Sequence, residues 1–162
     1  MQIIFRRKTL GGLAALFVVG STGVWSSTRV AMAHEAPCPY CAMKITQDTP
    51  TRDNETVMKY GRKRIEYKCV YCAVAEAKTE YTKGDVTIFA PSEKKGAPVI
   101  VKRTGGKWSA PDGATFVVTQ RIKHKMCHVQ ARAFSTNAAA QAHAKKNGGD
   151  VLTLEQLVAM AK

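Results

Sequence analysis

YKCVYCAVAEAK, residues 67–78, and FSTNAAAQAHAK, residues 134–145, are the stretches on which the fold turns. Laid one over the other, Tyr67 meets Phe134, alanine meets alanine at 73/140, 75/142 and 77/144, and Lys78 meets Lys145. Both runs then reach Gly-Asp-Val, at Gly84 and Gly149, with a two-residue difference in spacing. An aromatic strand end, an alanine-rich helix and a short strand thus occur twice, the mark of an internal duplication.

The flanks extend the pattern. Residues 55–60 and 65–67 alternate like a hairpin turned at Gly61, and Val70, Ala73, Val74 and Ala77 recur at helical spacing over residues 68–78. A strand at 86–89 and a loop at 91–96 follow. A second series of strands is expected at 98–102, 106–109 and 115–119, with turns at Gly105-Gly106 and Pro111-Asp112-Gly113. A strand over 128–134 leads to a helix capped by Ser135 or Thr136, running through Lys146 and stopped by Asn147-Gly148-Gly149. Val151-Leu152 reads as a strand, and Thr153 to Gln156 has the spacing of a capping box for a last helix. The expected class is α+β: two small ββαβ-type lobes, about 34–91 and 97–162, with antiparallel strands, one helix each and a C-terminal helix.

The first 33 residues read as a leader. Arg6, Arg7 and Lys8 precede an apolar core over 10–25, and Ala31-Met32-Ala33 has the small-x-small pattern of a signal peptidase site. Cleavage there leaves His34 as the N-terminus of an exported, periplasmic chain; an uncleaved anchor is the alternative, against which Gly11, Gly12, Gly20 and Gly23 argue. The mature 129 residues carry about nine net positive charges. Such charge suits an anionic protein or membrane surface. Export and the lack of an aromatic-basic ladder argue against nucleic acid, and the basic runs at 62–64 and 92–95 read as solvated turns.

Five cysteines are an odd number for an oxidising compartment, and two Cys-x-x-Cys pairs close only tiny loops. Metal or redox chemistry is the better use of them. In the helix register above, Cys69 falls at an N-cap and Cys72 one turn in, so this pair is expected to be the more acidic one. A buried, inert Cys72 is the plain alternative.

Three chemistries compete. Cys38-Pro-Tyr-Cys41 has the letters of a thiol-disulfide oxidoreductase, but only four mature residues precede it and no helical pattern follows. Cys38, Cys41, Cys69 and Cys72 could close a structural zinc site; 27 residues separate the pairs, a gap that a treble-clef-like arrangement tolerates. Cys41-x-Met43, if extended, puts a thiolate and a thioether on one side, and soft sulfur selects Cu(I). His124 and Met126-Cys127-His128, just ahead of the second repeat's strand, could close over that pair.

With these residues in view, the chain resembles the NosL family, exported copper-binding accessory proteins associated with maturation of nitrous oxide reductase. The segments that carry the resemblance are Cys38-Pro-Tyr-Cys-Ala-Met43-Lys-Ile and residues 133–157. The resemblance implies two ββαβ lobes and no catalysis. It implies a Cu(I) site of Cys41, Met43 and Met126, and a periplasmic copper-dependent enzyme as partner. The chain departs from the family in having no cysteine at the cleavage site, and in carrying Cys127 and His128 beside Met126. Cys38 joining Cys41 and Met43, or a second metal bound elsewhere, stays open. The expected function is a Cu(I) metallochaperone, with a zinc-stabilised interaction domain and an oxidoreductase as alternatives. Lys44, Lys123 and Lys125 could steer docking onto an acidic partner.

Overall fold

The computed structural model describes residues 34–47, 56–120 and 128–162. A first hairpin pairs β1 (His34–Pro37) with β2 (Lys44–Gln47). Then come β3 (Thr56–Tyr60), β4 (Lys63–Tyr67), α1 (Val70–Thr79) and β5 (Val86–Ala90). Two further strands, β6 (Val99–Thr104) and β7 (Lys107–Ser109), precede β8 (Thr115–Gln120), β9 (Val129–Phe134), α2 (Asn137–Asn147), β10 (Asp150–Leu152) and α3 (Leu154–Met160).

The duplication is visible as topology. In β3–β4–α1–β5 the first strand lies between the other two, antiparallel to both. In β8–β9–α2–β10 the first strand again lies between the other two, antiparallel to both. Cys69 and Thr136 are the N-caps of α1 and α2, both with extended backbones, so the sequence overlay of 69 on 136 holds in three dimensions. The expected second series of strands divides differently. β6 pairs with β5 and β7 with β6, so residues 99–109 widen the first sheet to β4-β3-β5-β6-β7 instead of opening the second. In that pairing the two-fold alternation Val99, Val101, Arg103 continues the buried face of β5.

The two alanine-rich helices meet different fates. α1 packs against β3, β4 and β5 on one side and against β9 of the second sheet on the other. Seven of its ten residues are buried, with small side chains letting both sheets approach. On α2, which covers only the second sheet, Ala140 is the single buried residue. Met58, Ile88, Phe116 and Leu157, all fully buried, fill the space around α1. Each contributes about 1.5–3 kcal/mol by leaving water.

The end of α1 is closed by two cations. Arg103, 5% exposed on the inner face of β6, donates through its guanidinium to the carbonyls of Ala77 (2.6 Å), Tyr81 and Gly84 (3.1 Å). Those carbonyls cluster at the C-terminal end of the helix, where orphan acceptors and the helix dipole both favour positive charge. Lys78 reaches the other way and donates to the carbonyls of Val158 (2.8 Å) and Ala161, tying down α3. At its start α3 has the expected capping box. Thr153 N–H donates to Gln156 Oε1 (2.8 Å), and Gln156 N–H to Thr153 Oγ1 (3.3 Å). Among the described residues no helix is long and apolar enough to cross a membrane; the leader lies outside them.

Candidate metal centre

The six residues between β1 and β2 form a tight knuckle. Cys38 N–H donates to the Met43 carbonyl and Ala42 N–H to the Cys38 carbonyl, each at 2.8 Å. Ala42 has φ +55°, the one left-handed non-glycine backbone among the described residues. This corrects the extended Cys41-x-Met43 segment expected from sequence: the chain turns at Ala42, so the two-residue alternation of a strand does not apply there. The turn aims N–H groups at sulfur. Lys68 N–H (3.4 Å) and the N–H groups of Cys41 and Tyr40 point to Cys38 Sγ, and Met43 N–H to Cys41 Sγ. A left-handed alanine costs about 1–2 kcal/mol. Ala42→Gly is therefore expected to raise the thermal midpoint with metal binding kept, and a lowered midpoint would show that the alanine methyl is a packing contact.

α1 brings the other thiols. The Sγ atoms of Cys38, Cys41 and Cys72 all lie within 4.8 Å of one another, and Cys69 Sγ is 3.5 Å from Cys72 Sγ. Among the described residues all four cysteines are buried and none is in a disulfide. The distances suit a shared ion. With metal–sulfur bonds of about 2.3 Å, tetrahedral sulfurs sit about 3.8 Å apart and trigonal ones about 4.0 Å. Thiolates are soft donors, so the set fits a thiophilic ion such as Cu(I) or Zn(II) and not calcium or magnesium.

The acidity runs opposite to expectation. Cys38, not Cys72, is the thiolate: a hydrogen bond from the Cys72 thiol, opposed by burial and helped by the N–H groups of Lys68, Cys41 and Tyr40, holds it down at about 5. Cys72 is pushed up because its thiol hydrogen-bonds with Cys38 and Cys69 and is fully buried. Burial likewise raises Cys41.

The linkage has a definite sign. The Cys38 value falls from 9.0 to about 5 on folding, so the folded chain has released a proton that the unfolded one still holds between those pH values. Stability of the reduced, metal-free protein should climb from pH 5 to pH 9. The raised Cys72 and Cys41 act in the other direction, retaining protons that the unfolded chain gives up, so stability should decline above pH 9. Thermal midpoints across pH 5–10 test this, and a flat profile would refute the assignment of the thiolate to Cys38.

The surroundings frame the cluster. Tyr40 stands on the knuckle, edge-on to Tyr71 with ring centroids 6.1 Å apart, and its hydroxyl donates to the Lys162 carbonyl at 2.8 Å. Lys68 Nζ donates to the Lys44 carbonyl (2.9 Å), binding the helix's leading turn to β2. Tyr67, on the end of β4, is fully buried, and its hydroxyl has no protein partner.

Each expected site residue can now be placed. Cys38, Cys41 and Cys72 come together, and Cys69 lies beside Cys72. Met43 is half-buried and packs against the cluster of core residues that holds all four cysteines. Met126, Cys127, His124, Lys123 and Lys125 lie outside the described residues. The knuckle is followed by a strand and not by the helix that a thioredoxin-type motif needs. The hairpin β1–β2 was missed from sequence, because its strands are four residues long and β1 has no β-branched residue. The residue just after the second cysteine of a Cys-Pro-x-Cys turn, here Ala42, was the available clue.

No curated protein matches the chain. Among solved structures the fold is similar to the mercury-bound form of MerB2, with a TM-score of 0.51 and 18% identity over 64% of this chain and 54% of that one. The likeness is one of fold, and the chain spans about half the length of that structure. A family model adds to this, covering both ββαβ units and the knuckle. It is the NosL model, matched over residues 29–161, and the chain belongs to the NosL family.

Proposed function

We propose that this chain is an exported, non-enzymatic accessory protein that carries Cu(I) on Cys38, Cys41 and Cys72 and passes it to a copper-dependent enzyme outside the cytoplasm. One observation carries the reading: three buried sulfurs from two separate elements lie within 4.8 Å of one another, in a member of the NosL family. A low-coordinate soft ion needs no more than these. Backbone N–H groups aimed at Cys38 and Cys41 offset the negative charge of the thiolates, so the site holds its geometry before the ion arrives. Met43, two residues after Cys41 in the knuckle and packed against the core, supplies a weaker thioether ligand for hand-over. The exposed Lys44 and the chain's positive charge suit an acidic partner surface.

The test is Cu(I) affinity of the reduced protein by competition with a Cu(I) chelator. One Cu(I) per chain, weakened in both Cys41→Ser and Met43→Ala, supports the carrier. Cu(I) binding indifferent to Cys41 would overturn it. A second reading, a structural zinc clasp, is favoured by the burial of all four cysteines, since structural zinc sites are closed. It predicts that a zinc chelator unfolds the protein and that Met43→Ala changes nothing.

A further inference from the structure

We propose that Cys69 is the residue that sets metal choice at this site. As a fourth thiolate it lets the pocket take a tetrahedral divalent d10 ion such as Zn(II), whereas Cu(I) is held by Cys38, Cys41 and Cys72 without it. The inference rests on the thiol cluster being a metal site, as in the proposed function, and assigns a role to the one clustered cysteine which that function leaves unused.

The internal repeat supplies the comparison. Position 69 in the first repeat corresponds to position 136 in the second, and both are helix N-caps with extended backbones. Thr136 does what an N-cap does: its hydroxyl accepts from Ala139 N–H at 3.2 Å. Cys69 makes no such cap bond, and its sulfur sits 3.5 Å from Cys72 Sγ. Position 72, the counterpart of Ala139, is also a cysteine. The first repeat therefore carries two thiols where the second has a helix cap and a methyl.

The geometry gives those thiols different duties. Cys72 lies within 4.8 Å of both knuckle sulfurs, and with them it forms a three-sulfur set complete in itself. Cys69 Sγ adjoins Cys72 Sγ but stands outside the set of three that all lie within 4.8 Å of one another, so a fourth bond requires its side chain to swing toward the knuckle. Its 3.5 Å separation is close to the roughly 3.8 Å between sulfurs on one tetrahedral zinc. Three thiolates leave a divalent tetrahedral ion one ligand short, with an open position in a buried pocket. A low-coordinate monovalent ion has no such need.

The second repeat also names the right variant. Cys69→Thr installs the residue found at the equivalent N-cap, so it restores a helix cap while removing the sulfur, and folding can be followed separately by the midpoint of the metal-free protein. Zn(II) affinity, by chelator competition, should fall by more than about 100-fold in Cys69→Thr, beyond the loss typical of an outer-shell change, while Cu(I) affinity stays within about threefold. Bound Co(II) should lose sulfur charge-transfer intensity in the same variant. Unchanged Zn(II) affinity overturns the proposal, and so does a parallel fall of Zn(II) and Cu(I). Should Cys69→Thr lower the midpoint of the metal-free protein, Cys69→Ser is measured in its place with the same two outcomes. Failure of the wild-type protein to bind Cu(I), with Zn(II) binding still sensitive to Cys69, strikes the carrier function and leaves the Cys69 assignment standing.

Discussion

Cys72→Ser is expected to remove tight binding of Cu(I) and Zn(II) alike, with a loss of at least about 100-fold for either ion. The magnitude follows from dividing the roughly 10–16 kcal/mol of a four-ligand structural zinc site among its ligands, about 3 kcal/mol each. Position 72 is central because it touches every other member: Cys38 and Cys41 across the gap and Cys69 along its own helix. It is fully buried in the first turn of α1, so no neighbouring side chain can replace it from solvent. Serine keeps the size and a donor, and the midpoint of the metal-free protein should move little. The contrast with Cys69→Thr separates a ligand common to both ions from one that serves a single ion. Retention of Cu(I) in Cys72→Ser would move the copper site to Cys41 and Met43 and away from the helix.

Arg103→Ala is expected to be the most damaging substitution for stability. Arg103 is nearly fully buried, lies over the Trp108 ring at 5.6 Å, and satisfies carbonyls of Ala77, Tyr81 and Gly84. Hydrogen bonds from a charged donor are each worth about 1.5–3 kcal/mol, and losing this one side chain strips three acceptors together. A cost of about 4 kcal/mol is a large share of the 5–15 kcal/mol that holds a domain folded. The thermal midpoint should fall by more than about 10 °C, and Arg103→Lys should recover less than half of that, because an ammonium cannot reproduce the planar fork. A fall of only a few degrees would mean that the end of α1 is held mainly by packing against β9.

The repeated ββαβ path was legible because its signals are local. Gly61, the Thr136 cap and the Thr153–Gln156 box each work within a few residues, and each appears where the pattern put it. Cys69 was placed at an N-cap by the same means. What could not be read was anything set by pairing across the chain. The alternation of β6 fits either sheet, and only hydrogen bonding to β5 decides its membership. Likewise α1 and α2 share an alanine pattern, yet only α1 is enclosed, because β9 arrives from elsewhere.

The site follows the same division. Four clustered cysteines were within reach of the sequence through their paired spacing. The low value at Cys38 was not, since it depends first on the Cys72 thiol brought up by α1 and then on N–H groups of Lys68, Cys41 and Tyr40 converging on it. Position in a helix suggested the thiolate at 69–72, whereas Cys38 holds the low value. Met43 was placed on an extended segment, where the backbone in fact turns at Ala42.

Tyr40 binding to the Lys162 carbonyl has a consequence in time. Synthesis proceeds from the N-terminus, so residues 38–72 are available long before 129–134 and 162. The thiols are therefore made early and shut away late: β9 must arrive to wall α1, and residue 162 must arrive to latch the knuckle. Until then the sulfurs stand open to oxidants and to any passing ion. Chains halted before residue 129 should accordingly be labelled by a thiol reagent far faster than finished ones, which makes alkylation a clock for the completion of this fold.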